Sequence, residues 1–253
     1  MKTSSIACVS LLVLCVAAAA GQTPEQQFQS ANVLFQQGKV AQARDVYENI
    51  LKSGYVSGEL YFNLGNAWYR TGSISRAILN YERARKYIPG DEDLEHNLQL
   101  MNLMITDRIE PIPRLFVWDY WDALTGVFSL RGISWLAYGL LVLTIVMVAG
   151  TILDRRYMVR KSALIAAIVS GVLLVCSVAV FVAKWTDVTR TDEGVLMAQV
   201  VSVKNSPDVK GTDAFVLHSG VKVRIVDSVA GWLKVRIADG KVGWVESSSL
   251  ERI

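Results

Sequence analysis

The pattern of hydrophobic positions takes three forms along the chain. From Gln22 to about Asp107 apolar residues recur at intervals of three and four, the spacing of one buried helix face. From Ile133 to Leu153, and again from Ser162 to Ala183, no polar stripe remains, and neither run contains Asp, Glu, Lys, Arg or His. From Gly194 to Ile253 the pattern becomes alternation. Val221, Val223 and Ile225 are set against Lys222 and Arg224, and Leu233, Val235 and Ile237 against Lys234 and Arg236. One wet and one buried face make these half-buried strands. The predicted fold is multi-domain: all-α helical hairpins, a two-helix transmembrane hairpin and a C-terminal all-β small barrel.

Each apolar run has about the 20 residues that cross a ~30 Å hydrocarbon core at ~1.5 Å per residue. Hydrocarbon satisfies no backbone amide, so each run is predicted to be a helix. The alternative is a pair of buried helices in a large soluble core. The expected spans are 133–153 and 162–183, with 154–161 between them. That link carries Arg155, Arg156, Arg160 and Lys161, and short cationic loops stay cytoplasmic. Both flanks then lie on the opposite, exported side. Small residues recur every four positions at Ala163, Ala167 and Gly171, and at Ser162, Ala166 and Ser170, a spacing that lets helices approach closely.

The start of the chain agrees. Lys2, the apolar stretch Ile6 to Val16 and the small residues Ala17 to Gly21 have the three parts of a secretory signal, assigned to 1–21. An uncleaved anchor would export the same residues.

Between 22 and 107 the chain repeats itself. Ala31, Leu34, Gly38, Ala43 and Tyr47 return 34 residues later as Gly65, Trp68, Gly72, Ala77 and Tyr81. The second copy adds Tyr61, Leu64, Ala84 and Pro89. This set resembles the tetratricopeptide repeat, antiparallel helix pairs stacked into a solenoid. Leu94, Leu98, Met101 and Ile105 continue at helical spacing and are expected to form a capping helix. The resemblance implies a concave groove lined by Phe28, Asn32, Phe35, Phe62, Asn63, Asn66, Tyr69 and Arg70. Asparagines can pair with a peptide backbone through both amide and carbonyl, and Arg70 can meet a carboxylate. Phe28 stands where the family's carboxylate clamp has lysine, which favours a more apolar ligand. A rigid spacer with solvated side chains is the other reading.

Residues 108–132 mix Phe116, Trp118, Tyr120 and Trp121 with Asp119 and Asp122. They are read as an aromatic segment in the headgroup region, or else as a patch packed on the repeats. Residues 184–253 form the last unit. Gly231-Trp232, Asp239-Gly240 and Gly243-Trp244-Val245 resemble bacterial SH3 domains, with Asp239-Gly240 read as a two-residue hairpin turn. Trp232 is either an exposed binding ring or partly core. Glu246 and Leu250 replace the groove proline and tyrosine of proline-peptide binders, so a polyproline groove is not expected.

Net charge is +3 over 253 residues, which gives no case for nucleic acid. The three cysteines, Cys8, Cys15 and Cys176, lie in apolar segments, and His96 and His218 are far apart. No disulfide framework, metal site, catalytic constellation or cofactor is predicted, and the chain is not expected to be an enzyme. The order of signal, repeats, membrane hairpin and SH3-like domain resembles the Bat (Bacteroides aerotolerance) family. The resemblance implies a scaffold of a bacterial inner membrane, with its N- and C-terminal domains periplasmic, that binds other membrane or periplasmic proteins. Those carrying von Willebrand A domains come first, within a system for tolerance of oxidative stress. A peptidoglycan-binding anchor is the second function considered.

Overall fold

The structure, a computed structural model, describes residues 22–110, 112–113, 116, 120–121 and 129–253. The predicted signal at 1–21 and most of the aromatic segment lie outside the described residues.

Among the described residues five helices come first: α1 (Pro24–Gln36), α2 (Val40–Lys52), α3 (Gly58–Arg70), α4 (Ile74–Tyr87) and α5 (Glu92–Met104). Local chemistry starts them. Thr23 and Gln26 cap each other's backbone in a capping box ahead of α1, with Pro24 in its first turn. Ser57 and Asp91 accept the Leu60 and Leu94 amides. The helices pack in antiparallel pairs around Ala31, Tyr47, Leu60 and Leu64 in the first unit, and around Ala77, Tyr81, Leu94 and Met101 in the second. At Gly65 the close approach is absolute, because a Cβ there would lie 2.6 Å from the Tyr81 ring.

Two long apolar helices follow, α6 (Leu130–Leu153) and α7 (Tyr157–Thr189), each long and apolar enough to cross a membrane. The link is only Asp154 to Arg156, shorter than the expected 154–161. Nothing in Tyr157 to Lys161 breaks a helix, so α7 starts there. The seam between them is Ala163, Ala167, Ser170 and Ser177, all buried, and Thr144 donates to Ser170 at 2.9 Å. Gly171, expected in that seam, faces open space, and Ser162 and Ala166 are exposed.

The last unit is one antiparallel sheet ordered β3-β2-β6-β5-β4-β1-β7. Its strands are β1 (Glu193–Leu196), β2 (Val200–Lys204), β3 (Asp213–His218), β4 (Lys222–Val229), β5 (Trp232–Arg236), β6 (Val242–Glu246) and β7 (Leu250–Arg252). Residues from both ends of that order, Leu217 and Leu250, share one core with Val203, Val223 and Val235, so the sheet curls into a barrel. The tight two-residue turn is not Asp239-Gly240. It is Ala230-Gly231, between the paired Val229 and Trp232, with φ of +46° and +85°. Asp239-Gly240 belongs to a wider loop closed by the Ile237 amide on the Lys241 carbonyl.

The repeats and the barrel are docked together. In the first repeat the outer face of α2 carries Arg44 and Asp45, and the Asp45 side chain is 61% exposed. The residues 34 positions later are Ile78 and Leu79, 1% and 2% exposed. Helix α4 is buried nearly all round, between α3, α5, α7 and β1. Val195 joins its core, and Ile78 lies 3.2 Å from where a Gly220 Cβ would stand.

Charges finish the joint. Glu82, 7% exposed, accepts from Arg85 at 2.5 Å and from Lys222 at 3.0 Å. Lys222 also reaches Glu193 at 2.8 Å. Arg83 donates to the Glu251 carboxylate and the Arg252 carbonyl, and Lys86 to the Arg190 carbonyl at the end of α7.

The stretch after α5 lies along the barrel. Ile105 and Ile109 pack on its core, Asp107 accepts the His218 amide at 2.5 Å and faces its ring at 2.9 Å, and the Ile112 amide donates to Ala238.

Candidate functional site

Two surfaces gather the residues expected to bind. The first is the inner face of the repeats. The Asn32 side-chain oxygen accepts from the Tyr47 hydroxyl at 2.7 Å and from Asn63 at 3.0 Å. One repeat later the Asn66 oxygen accepts from Tyr81 at 2.8 Å and from Asn97 at 3.2 Å. Each asparagine thus ties the second helix of its own unit to the first helix of the next. Burial raises the Tyr47 hydroxyl to about 12, against a smaller lowering from its Asn63 contact, and raises Tyr81 further. Both hydroxyls stay protonated donors at neutral pH.

This bonding narrows what the asparagines can offer. The oxygens of Asn32 and Asn66 are taken, so a ligand meets their amide hydrogens. Phe28 is not in the groove; it is 7% exposed and its ring lies 5.9 Å from Tyr47 in the core. Phe62 is half-buried against Tyr81 at 5.9 Å. The structure brings Asn32, Phe35, Gln36, Tyr47 and Asn63 around a cavity of about 230 Å³. That is less than the ~300–1,000 Å³ of a cofactor pocket and suits a single side chain. Tyr69 and Arg70 are exposed, and the Arg70 guanidinium lies at the cavity's margin, 5.1 Å from the Phe35 ring centre. No nucleophile and base meet here. Among the described residues no three of His, Cys, Asp and Glu are grouped to hold a metal.

The second surface is the outer face of β5 and β6. Trp232 is half-buried opposite Glu246, and Lys234 is opposite Trp244 with its ammonium 5.7 Å from the indole centre. Alternation sends Leu233 and Val235 inward, so Trp232, Lys234 and Trp244 share the wet side. Ser247 holds the hairpin beside Trp232 by bonding the Gly231 carbonyl twice. Leu250, where a binding groove would have its tyrosine, is in the core. The network under Trp68 was not foreseen: Arg44 and Arg76 lie 4.6 and 4.7 Å from its ring.

A short helical solenoid with an open groove and a small barrel with an aromatic face define a protein of binding modules. Residues 28–92 match the family described as tetratricopeptide repeat, and residues 199–251 match bacterial SH3 domain. Both kinds of module are typically non-catalytic, the first binding proteins and the second often binding cell wall. No curated protein matches the chain. The matched stretches omit most of α5, residues 105–110 and 112, and β1, which build much of the joint between the modules.

Proposed function

We propose that the chain is a non-enzymatic scaffold of a bacterial inner membrane. Its repeats and its SH3-like barrel hold protein partners in the periplasm, within a Bat-type system for tolerance of oxidative stress. The partners are other membrane or periplasmic proteins, those with von Willebrand A domains first. The observation that carries this reading is the docking of the segment before the apolar helices onto the segment after them. The Glu82–Lys222 and Arg83–Glu251 contacts need both segments on one side of a bilayer, and two crossings return the chain to that side. The outward faces of α6 and α7 support it. Leu141, Ile145, Ile168 and Val172 are among many large apolar side chains exposed there, which water disfavours and hydrocarbon does not. The cationic link favours the cytoplasmic side for the turn.

The test uses the full chain with its native cysteines replaced. Single cysteines at Glu48 and Asp227 react with an impermeant maleimide in intact spheroplasts, and Tyr157→Cys only after lysis. The opposite pattern overturns the orientation. Because Asn66 supports Tyr81 and Asn97, partner binding is tested at Tyr69→Ala with Arg70→Glu, which leave the array's own bonds intact. Unchanged co-purification of a von Willebrand A partner overturns the scaffold role of the groove.

The Trp232–Lys234–Trp244 face favours a second reading, in which the barrel grips peptidoglycan. Binding of purified wall material that disappears with Trp232→Ala would support this second reading.

A further inference from the structure

The repeat period runs one helix beyond the two full units and carries the groove onto α5. Leu94 is buried where Leu60 is, Leu98 where Leu64 is, and Asn97 repeats the bond made by Asn63. With that register, Leu100, Leu103 and Met104 occupy the positions of Asn66, Tyr69 and Arg70 on α3. The core does not use them. They are 38%, 66% and 51% exposed, while Leu98 and Met101 on the same helix are 3% and 0%. A solvated cap would carry polar residues at such positions, and a row of exposed apolar side chains marks a contact surface. Beside this row, Arg70 has no carboxylate partner among the described residues, and its guanidinium lies over Phe35.

We propose that the groove takes an amphipathic polypeptide segment of a partner protein, held by its charge at one end and its apolar side chains at the other. A carboxylate meets Arg70 and Tyr69 on α3, and apolar side chains cover Leu100, Leu103 and Met104 on α5. Packed helices lie ~8–10 Å apart and an extended chain advances ~3.3 Å per residue. Side chains alternate faces along such a chain, so the ligand's acidic and apolar positions are roughly two or four residues apart. This ligand class rests on the groove reading above and narrows it, since neither feature suits a basic or uniformly polar segment.

The test titrates the full chain in nanodiscs with three labelled twelve-residue peptides, read by fluorescence anisotropy. The first has paired Glu and paired Leu four residues apart, the second has Lys for Glu, and the third has Ser for Leu. The first binds tightest. Leu103→Ser with Met104→Ser weakens it about tenfold and leaves the Ser peptide unaffected. Arg70→Glu reverses the preference between the Glu and Lys peptides. Equal binding of the three peptides, or no reversal with Arg70→Glu, overturns the ligand class. A photoreactive phenylalanine at position 69 separates this from failure of the groove. Cross-links to a partner segment lacking the acidic–apolar pattern keep the groove and reject the ligand class. Cross-links within the chain to residues 114–128, or to a second copy, reject the partner, and no cross-link to any polypeptide rejects groove and ligand together.

Discussion

Replacing Ile78 with arginine tests the docked arrangement most directly, because arginine already stands at the equivalent position of the first repeat. Arg44 occupies that place on α2, its side chain 25% exposed and its guanidinium held between Asp45 and the Trp68 ring. Were the outer face of α4 equally wet, Ile78→Arg would change stability by less than about 0.5 kcal/mol. Ile78 is instead 1% exposed beneath Gly220. Losing the burial of its side chain costs roughly 1.5–3 kcal/mol, and an unpartnered guanidinium there adds several more. The barrel can avoid that cost by lifting off, so the measured loss is limited to the free energy of docking. Nitroxide labels on cysteines replacing Asp45 in α2 and Asp227 in β4 would follow this by double electron–electron resonance. The parent should give one narrow distance distribution. Ile78→Arg should give a broad one, Ile78→Ala should lower stability by about 2–5 kcal/mol, and Arg44→Ile should leave the distribution as narrow as the parent's. A distribution for Ile78→Arg that stays as narrow as the parent's would refute the buried joint.

Three further outcomes follow from particular contacts. Gly65→Ala drives a methyl group into the Tyr81 ring at 2.6 Å and should lower stability by about 1–3 kcal/mol, seen as an earlier loss of helical circular dichroism on heating. Ala230→Gly relieves a left-handed alanine at φ +46° and should raise the stability of the barrel by roughly 1 kcal/mol, seen in its denaturant midpoint. Burial opposes the charge of Glu193, but Lys222 and then Arg224 outweigh it and hold its pKa below the ordinary 4.5. Its contribution to the stability of the barrel is thus present above pH 4.5 and is lost as pH falls through the lower folded value. The denaturant midpoint of the barrel should fall over that acid range, and Glu193→Gln should flatten this dependence.

Much of the fold was legible because its signals are local. The 34-residue spacing from Ala31–Gly65 to Tyr47–Tyr81, the alternation of β4 and β5 and the two uncharged runs each follow from a helix or strand period. The joint was partly legible. Ile78-Leu79 against Arg44-Asp45 is a visible switch from polar to apolar at equivalent repeat positions, and it marks a helix covered on its outer side. What covers it was not legible, because Asp107 and His218 pair across 111 residues with no periodic pattern linking them. The edge drawn at 107–108 therefore cuts through a segment that packs on the barrel. In the groove, chemistry alone suggested that Asn32, Asn63 and Asn66 await a peptide. The tyrosines at 47 and 81 recur at the same period, and that recurrence was the sign that the amides are partly engaged within the array. The turn was misplaced because Asp-Gly is the commoner hairpin pair, while the structure places alanine at the strained position before Gly231.

The buried face of α4 also sets an order of events in synthesis. Glu82 leaves the ribosome well before Lys222, its partner 140 residues on. At ~5–20 residues per second the interval is on the order of ten to thirty seconds. During that time Ile78 and Leu79 are greasy and unshielded, and two apolar helices must be placed before the barrel arrives. Chains stalled in that interval would present chaperones and proteases with a sticky surface that the finished molecule conceals, so quality control could discriminate half-made copies from complete ones at this helix.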